Sequence, residues 1–201
     1  FERFIAYSRP HLAAIRVLVT AVSHPCAVGV VAGIDGHVAN EDLLHLRLED
    51  ESKGPGEAVC LRARTRHTGH AVAVAATMTV ITSSGDDGGG ITAELCPGHP
   101  TLRGAVELKP GQTLQVDKLV ALTTDRDPRT AATAGAPEFV AAPGGAEADD
   151  VAGRALSQLA NVTYDRVRAE HVAAWEGLWR EGDVIIEGDD EAQLALRFNL
   201  F

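Results

Sequence analysis

Residues 58–82 carry the pattern that decides the fold: Ala58-Val-Cys-Leu-Arg-Ala-Arg-Thr-Arg66, then His67-Thr-Gly-His70, then Ala71-Val-Ala-Val-Ala-Ala-Thr-Met-Thr-Val-Ile-Thr82. The first and last runs read as strands, and the short segment between them predicts a β-hairpin. An earlier segment shows the period of a strand directly, because apolar residues recur at every second position. These are Ile15, Val17, Val19 and Ala21.

Further strands are predicted at 26–34, 102–109 and 112–123. The last two flank Pro110-Gly111, so we expect them to pair as a second hairpin. Proline fixes φ at the first central position and glycine accepts positive φ at the second, which predicts a type II turn. Closely spaced strands joined by short turns, without helices between them, favour an antiparallel β-sandwich or barrel.

The chain changes character after the strands. Residues 83–90 read as a surface loop and 128–148 as a linker, because both are rich in small residues. Asp149 and Asp150 open a short helix that runs to about Ala160. Thr163 caps a second helix that runs to about Arg180, with Gly182 as its stop. One stripe of that helix carries His171, Trp175, Leu178 and Trp179.

An extended connector, 183–188, leads to a third helix that Asp189 or Asp190 can cap. This helix has no stop signal, and Phe198, Leu200 and Phe201 are apolar to the last residue. We therefore expect the apolar side of this helix to pack on further protein, and the chain to be one piece of a larger polypeptide that continues near residue 201. The tryptophan stripe of the second helix is expected to pack on the sandwich, on the missing part, or on both.

The net charge of −10 argues against binding to nucleic acid, which needs clustered Lys and Arg. No apolar run reaches the length of a membrane span, and no signal peptide is visible, which favours the cytoplasm. The three cysteines, Cys26, Cys60 and Cys96, are far apart and odd in number. They predict buried thiols without a disulfide framework.

Each candidate for chemistry has a simpler explanation. His67 and His70 flank a turn as a metal pair would, but no spacing marks the further ligands that a metal needs. The acidic residues Glu187, Asp189, Asp190 and Glu191 fit the start of a helix better than an acid–base pair on opposite sides of a scissile bond.

Three other motifs also read as structural. The glycines of 85–90 lack the Lys-Ser/Thr ending of a phosphate loop, and Asn161-Val-Thr163 is a coincidental glycosylation sequon. His171 is expected to pack or hydrogen-bond beside Trp175 rather than act as a base. We therefore assign no catalytic, cofactor-binding or metal-ligating residue to this chain.

An ordered series of motifs resembles the N-terminal part of glycoside hydrolase family 65, the maltose, trehalose and kojibiose phosphorylases and related α-glucoside hydrolases. The matching segments span nearly the whole chain, and the most specific lie at its C-terminal end. They are Tyr7–Arg16, Gly33–Asn40, Arg64–Gly69, Leu108–Gly111, Lys118–Asp125, His171-x3-Trp175-x3-Trp179 and Asp183–Asp189.

The resemblance implies a mainly β fold, an antiparallel sandwich of the galactose-mutarotase-like type, followed by linker helices and the start of an (α/α)6 barrel. By this mapping 1–127 is the sandwich, 128–188 the linker with two helices, and 189–201 the first barrel helix. The acid glutamate and the phosphate-binding residues would lie beyond Phe201, so the fragment alone is expected to be inactive.

The resemblance also implies the chemistry of the full-length protein: inverting cleavage of an α-glucosidic disaccharide, with inorganic phosphate as co-substrate in a phosphorylase and water in a hydrolase. No other cofactor is implied, and subunit contacts through the sandwich leave a homodimer open. The loop 83–90 is a candidate for walling the active site or for those contacts.

Two alternatives remain. One is a non-enzymatic carbohydrate-binding or oligomerisation module, against which the absence of aromatic residues from 8–138 argues. The other is a stand-alone aldose mutarotase, which needs His and Glu in the sandwich groove.

Overall fold

The computed structural model describes residues 1–85, 90–127 and 150–200. In this part of the chain, the strands all lie within the first 127 residues and the α-helices all lie after residue 150, the order that the sequence predicts. The strands are β1 (Glu2–Ile5), β2 (Leu12–Thr20), β3 (Cys26–Gly33), β4 (Ala39–Asn40), β5 (Leu43–Leu44), β6 (Leu46–Gly54), β7 (Ala58–Thr65), β8 (Ala71–Thr82), β9 (Thr92–Glu94), β10 (Thr101–Leu108) and β11 (Thr113–Thr124). The helices are α1 (Val151–Leu159), α2 (Tyr164–Gly182) and α3 (Asp190–Leu200), and a single 3₁₀ turn covers Pro55–Glu57.

Two antiparallel sheets form the predicted sandwich. The large sheet has the order β1-β2-β11-β8-β7-β6 and the small sheet the order β3-β10-β9, while β4 and β5 form a separate two-stranded hairpin. The facing sides of the sheets share one apolar cluster, which includes Val59, Met78 and Val116 from the large sheet and Leu102 and Val106 from the small one. The fold class that the sequence predicts is thus confirmed for the sandwich.

The hairpin of residues 58–82 forms as predicted. β7 and β8 pair antiparallel, with Arg64 opposite Ala71 next to the turn. Gly69 takes a φ of +73° in that turn, which a residue with a Cβ adopts less readily. The Thr65 hydroxyl accepts a hydrogen bond from the His70 N–H at 2.9 Å and so helps to close the hairpin.

The second predicted hairpin is wrong in its pairing. The turn itself is present, because Gly111 has a φ of +80° and the Gln112 N–H donates to the Lys109 carbonyl at 3.0 Å. However, β10 pairs with β3 and β9, whereas β11 pairs with β2 and β8. The turn at Pro110-Gly111 therefore carries the chain from one sheet to the other, since turn chemistry fixes the local bend but not the partner of the strand that follows.

The large sheet is buried on both sides. Because side chains alternate along a strand, Ala76, Met78 and Val80 of β8 face the small sheet, whereas Ala71, Ala73 and Ala75 belong to a second cluster with the helices. That second cluster also holds Ala14, Ala121, Val151, Ala155, Leu159, Tyr164 and Val167. Alanines present a shallow surface, which lets α1 approach the sheet closely.

Local signals placed the helix starts correctly. Asp150 caps α1 by accepting from the Gly153 N–H at 2.7 Å, and Asp189 caps α3 by accepting from the Ala192 N–H at 2.9 Å. α2 ends at Gly182, the predicted stop, and Asp183 then turns to an extended conformation. Gly182 has no positive φ, so it does not act as a left-handed cap.

Two of the three cysteines differ from expectation. Cys60 is buried, but Cys26 and Cys96 are exposed, and all three are free thiols. Cys26 begins the outer strand β3, where no described element covers it. The predicted linker 128–148 and residues 86–89 of the predicted loop 83–90 lie outside the described residues, as does Phe201.

Candidate docking surface on the helical layer

The N-terminal half of α2 lies against the sheet. Thr163 caps the helix by accepting from the Arg166 N–H at 3.4 Å, as predicted. Tyr164 and Val167 in the first turn are buried. The Tyr164 hydroxyl donates to the Glu2 carboxylate at 2.5 Å, and this bond, followed by that from Arg168, lowers the pKa of Glu2. The helix is thus joined to β1 as well as to the sheet beneath it.

Arg16 occupies the centre of this contact, and we call Arg16, Asp117, Tyr164 and Asp165 the Arg16 clamp. The guanidinium donates from Nε and Nη2 to both Asp117 oxygens at 2.6 and 2.7 Å. Its Nη1 lies 2.8 Å from Asp165 Oδ1, and its Cζ lies 3.9 Å from the centre of the Tyr164 ring. Hydrogen bonds to Asp117 and then Asp165 raise the pKa of Arg16, although burial opposes the rise. The clamp therefore ties β2, β11 and α2 together through one cation.

An aromatic cluster continues the contact about two turns further along α2. His171 stacks on Phe4, with ring centres 4.6 Å apart, and its Nδ1 accepts from the Tyr7 N–H at 3.2 Å. Trp175 lies edge-on to His171 at 6.2 Å and beside Tyr7 at 5.5 Å. The structure thus places His171 beside Trp175 in the packing role that the sequence suggested.

Beyond Trp175 the helical layer is largely uncovered by the described residues. Trp175 and Trp179 are half-buried, so the described residues cover only part of each tryptophan. Ile185 is 75% exposed and Phe198 is 81% exposed. We define the uncovered face as Leu178, Val184, Ile185, Leu194 and Phe198, which are all exposed. Leu194 and Phe198 lie one turn apart on α3, and exposed apolar patches are typical of surfaces on which other protein packs, so this face is a candidate docking surface.

The uncovered face is held in a fixed shape. The Gln193 side chain accepts from the Ile186 N–H at 2.7 Å and donates to the Val184 carbonyl at 3.0 Å. One turn later on α3, Arg197 Nε donates to Asp183 at 3.0 Å, and that bond holds the pKa of Asp183 below its usual range. The connector 183–188 is therefore fastened to α3, and both present their apolar side chains together.

The residues that the sequence raised as chemical candidates do not converge. His70 Nδ1 lies 3.1 Å from Asp125 Oδ1, while Asp189 serves as a helix cap. Among the described residues, no three His, Cys, Asp or Glu side chains are grouped to hold a metal ion. Asn161 adopts a φ of +56° between α1 and α2, so the sequon lies in a tight helix junction. In the described part of the chain, no helix combines the length and apolar character that crossing a bilayer requires.

Sequence reasoning missed two charged contacts between segments that are remote in the sequence. One is the Arg16–Asp117 pair, whose members are 101 residues apart. The other is Lys118, whose Nζ donates to the Gly33 carbonyl at 2.6 Å across the gap between the sheets, where burial lowers the pKa of the lysine. The available signal was a charged residue inside a predicted strand.

Comparison with known proteins agrees with this architecture. A solved structure of a human-microbiome protein, provisionally named kojibiose phosphorylase, superposes with a TM-score of 0.71 over 98% of this chain and 23% of its own, at 14% identity. That likeness establishes the same fold. The model of glycosyl hydrolase family 65, N-terminal domain, matches residues 1–178, and the chain therefore belongs to that family.

Two curated relatives give the scale of the match. The kojibiose phosphorylase of Halothermothrix orenii is 27% identical over 98% of this chain and 24% of its own length. The maltose phosphorylase of Bacillus subtilis is 24% identical over 100% of this chain and 24% of its own length. The chain thus spans about a quarter of the length of these relatives and corresponds to the N-terminal domain of the family.

Proposed function

We propose that this chain is the N-terminal, non-catalytic part of an enzyme that cleaves an α-glucosidic disaccharide of the maltose, trehalose or kojibiose type. The family match over residues 1–178 carries the proposal. Relatives named as disaccharide phosphorylases align with almost the entire chain and continue for about three times its length beyond the aligned part. The division into a sandwich at 1–127, a linker at 128–188 and a first barrel helix at 189–201 belongs to the same proposal.

The chemistry follows from the inverting class. In phosphorolysis an oxygen of inorganic phosphate bonds to the anomeric carbon as the glycosidic C–O bond breaks. A carboxylic acid outside this chain protonates the departing sugar oxygen, and the phosphorylated glucose has the inverted configuration. In hydrolysis, water takes the place of phosphate and needs a base. If the enzyme is a phosphorylase, inorganic phosphate is its co-substrate. We propose that it needs no other cofactor and that it is cytoplasmic.

The role of the chain itself is to present the uncovered face to the catalytic part. Ile185 and Phe198 offer the large exposed apolar area, while Gln193 and Arg197 hold the connector in place. We also propose that the sandwich forms a homodimer, and that loop 83–90 contributes either to the active-site wall or to the dimer contact. Both parts rest on the family resemblance.

The test uses the full-length protein with maltose, trehalose and kojibiose, each with and without inorganic phosphate. We expect glucose 1-phosphate of inverted configuration to form only when phosphate is present. If the disaccharide is instead cleaved to free glucose alone, at the same rate with and without phosphate, the enzyme is a hydrolase. The 201-residue chain is the matched control and is expected to produce neither product. Cleavage by that chain alone would contradict the non-catalytic role.

An alternative is a carbohydrate-binding or oligomerisation module without activity. Every aromatic residue in the described chain lies in 1–7 or 164–198, on the N-terminal arm and the helical layer, so the strands from β2 to β11 offer no ring to stack on a sugar. Calorimetry with the same sugars distinguishes the two, because a micromolar dissociation constant for the 201-residue chain would favour the module.

A further inference from the structure

The attachment of α2 to the sheet is concentrated at one end of the helix. Tyr164 and Val167 are its buried residues, and the hydrogen bonds described above from its side chains to the sheet or to the N-terminal arm lie between Tyr164 and His171. Trp175 adds a ring contact with Tyr7 of the arm, and the helix continues for seven residues beyond it, to Gly182. At 1.5 Å per residue, the segment from Val167 to Gly182 extends about 22 Å past the last buried residue.

Such a geometry amplifies small rotations. A tilt of about 10° at the anchored end displaces the far end of the helix by about 4 Å. The far end leads into the connector and α3, which are fastened together by Gln193 and Arg197. The contacts that fix the tilt of α2 therefore also fix the position of the uncovered face.

Arg16 is the group best placed to fix that tilt. Its side chain is 17% exposed, and its two carboxylate partners come from different layers, Asp117 from β11 and Asp165 from the first turn of α2. The guanidinium plane also lies against the Tyr164 ring. Because the planar guanidinium is held on two edges and one face, it restrains the rotation of α2 on the sheet as well as the distance between them. The ammonium of a lysine is a point charge and restrains only the distance.

We propose that the Arg16 clamp is a positioning device, in which one guanidinium sets the angle of α2 on the large sheet and thereby orients the uncovered face. The device acts through α2, and none of its residues is assigned a catalytic role. The inference does not depend on the proposed activity, since it concerns only how the helix is held.

The experiment measures amide hydrogen exchange in the intact polypeptide that carries these residues, comparing the peptide of α2 with that of β8. Arg16→Lys keeps the charge but loses the fork, and Asp165→Ala removes the partner on the helix. We expect Arg16→Lys to speed exchange in α2 about tenfold, the scale of losing one hydrogen bond to a charged group, while β8 is unchanged. Asp165→Ala should speed exchange in α2 about threefold, because the Asp165 side chain is 75% exposed and such pairs stabilise less. Asp165→Glu restores the carboxylate and should recover slow exchange.

Arg103→Lys is the matched control, because Arg103 Nε lies 2.6 Å from Glu94 Oε2 in an exposed pair on the small sheet. It should alter neither peptide. Unchanged exchange in α2 for both Arg16→Lys and Asp165→Ala would overturn the proposal. So would an equal rise in α2 and β8, because Arg16 would then stabilise the sandwich as a whole.

A distance measurement tests the rotation itself. Spin labels at Ile81→Cys in β8 and Arg180→Cys near the end of α2 report the angle, after the exposed Cys26 and Cys96 are replaced by serine. The distribution of label distances should be narrow with Arg16 and broader with Arg16→Lys. Equal widths would show that the clamp does not set the angle of the helix.

Discussion

Helices α1 and α3 make opposite use of apolar side chains. Val151, Ala155 and Leu159 of α1 are buried on the alanine face of the large sheet, whereas Leu194 and Phe198 of α3 are exposed. Both helices begin with an aspartate cap, so their local signals are alike. Their difference shows that capping determines where a helix starts, while coverage by another layer determines whether it belongs to the core.

The largest expected effect comes from the same substitution in the two helices. Leu159→Ala removes a side chain that is 6% exposed, and it should lower the free energy of unfolding of the 201-residue chain by about 3 kcal/mol. Leu194→Ala removes one that is 70% exposed and should change it by less than about 0.5 kcal/mol. Urea denaturation measures both. In the full-length enzyme that we propose, Leu194→Ala should cost more than about 1 kcal/mol if the uncovered face is packed there.

The caps give a smaller contrast. Asp150→Ala leaves the Gly153 N–H without its partner and should lower the free energy of unfolding by about 1 kcal/mol, whereas Asp150→Asn retains an acceptor and should remain close to the wild type. Asp189→Ala acts on a helix that packs little in this chain, so its cost should appear as faster amide exchange in α3 and not as a shift of the urea midpoint. Equal shifts of the urea midpoint for Asp150→Ala and Asp189→Ala would contradict the expected difference between α1 and α3.

Acid should loosen α2 before it unfolds the sandwich, because carboxylates join α2 to the N-terminal arm whereas an apolar cluster joins the two sheets. Hydrogen bonds from Tyr164 and then Arg168 lower the pKa of Glu2. Partial burial would raise the pKa of Glu170, but hydrogen bonds from Arg166 and Arg9 outweigh it and lower the value. Because both values lie below the ordinary 4.5, the stability they contribute is present above that pH and is lost as the pH falls through the lowered values.

Fluorescence separates the two events, because Trp175 and Trp179 both lie on α2. Tryptophan emission should change at a higher pH than the circular dichroism of the strands. Glu2→Gln removes one of the titrating groups and should reduce the early emission change. Coincident transitions by the two methods in the wild-type chain would show that α2 and the sheet respond as one unit.

The smallest effect concerns a thiol beneath α1. Burial, followed by the charges of Asp50 and Asp150, raises the pKa of Cys60 to about 11, and Cys60 shares an apolar cluster with Val151. A thiol reagent at neutral pH should therefore label Cys26 and Cys96 rapidly and Cys60 only when α1 leaves the sheet. Three fast-reacting thiols in the native chain would mean that α1 is not docked as described.

Local chemistry in the sequence was sufficient for several elements. The hairpin at 58–82 and the caps at Asp150, Thr163 and Asp189 depend on residues close together in the chain, and the structure has them as predicted. The Pro110-Gly111 turn was also present, yet the strands on either side entered different sheets. Pairing depends on which faces are buried together, and no short segment contains that information.

The candidate surface was harder to foresee than the fold. The tryptophan stripe and the apolar end of the chain predicted that α2 and α3 pack on something, and the structure divides this into a covered and an uncovered part. The Arg16 clamp escaped prediction because Asp117 and Asp165 come from segments remote in the sequence. A charged residue in the middle of a strand indicates that it has an oppositely charged or polar partner, but the sequence does not show which residue that partner is.

Lys118 has a consequence for how the sandwich behaves in a crowded solution. In the described sheets β3 is an outermost strand, and an outer strand offers backbone groups that a foreign strand can use as a template for fibril-like growth. The lysine comes from the middle of the opposite sheet, and its Nζ donates a hydrogen bond to the carbonyl of Gly33 at the end of β3. The molecule thus supplies part of its own protection against edge-to-edge aggregation from within its interior.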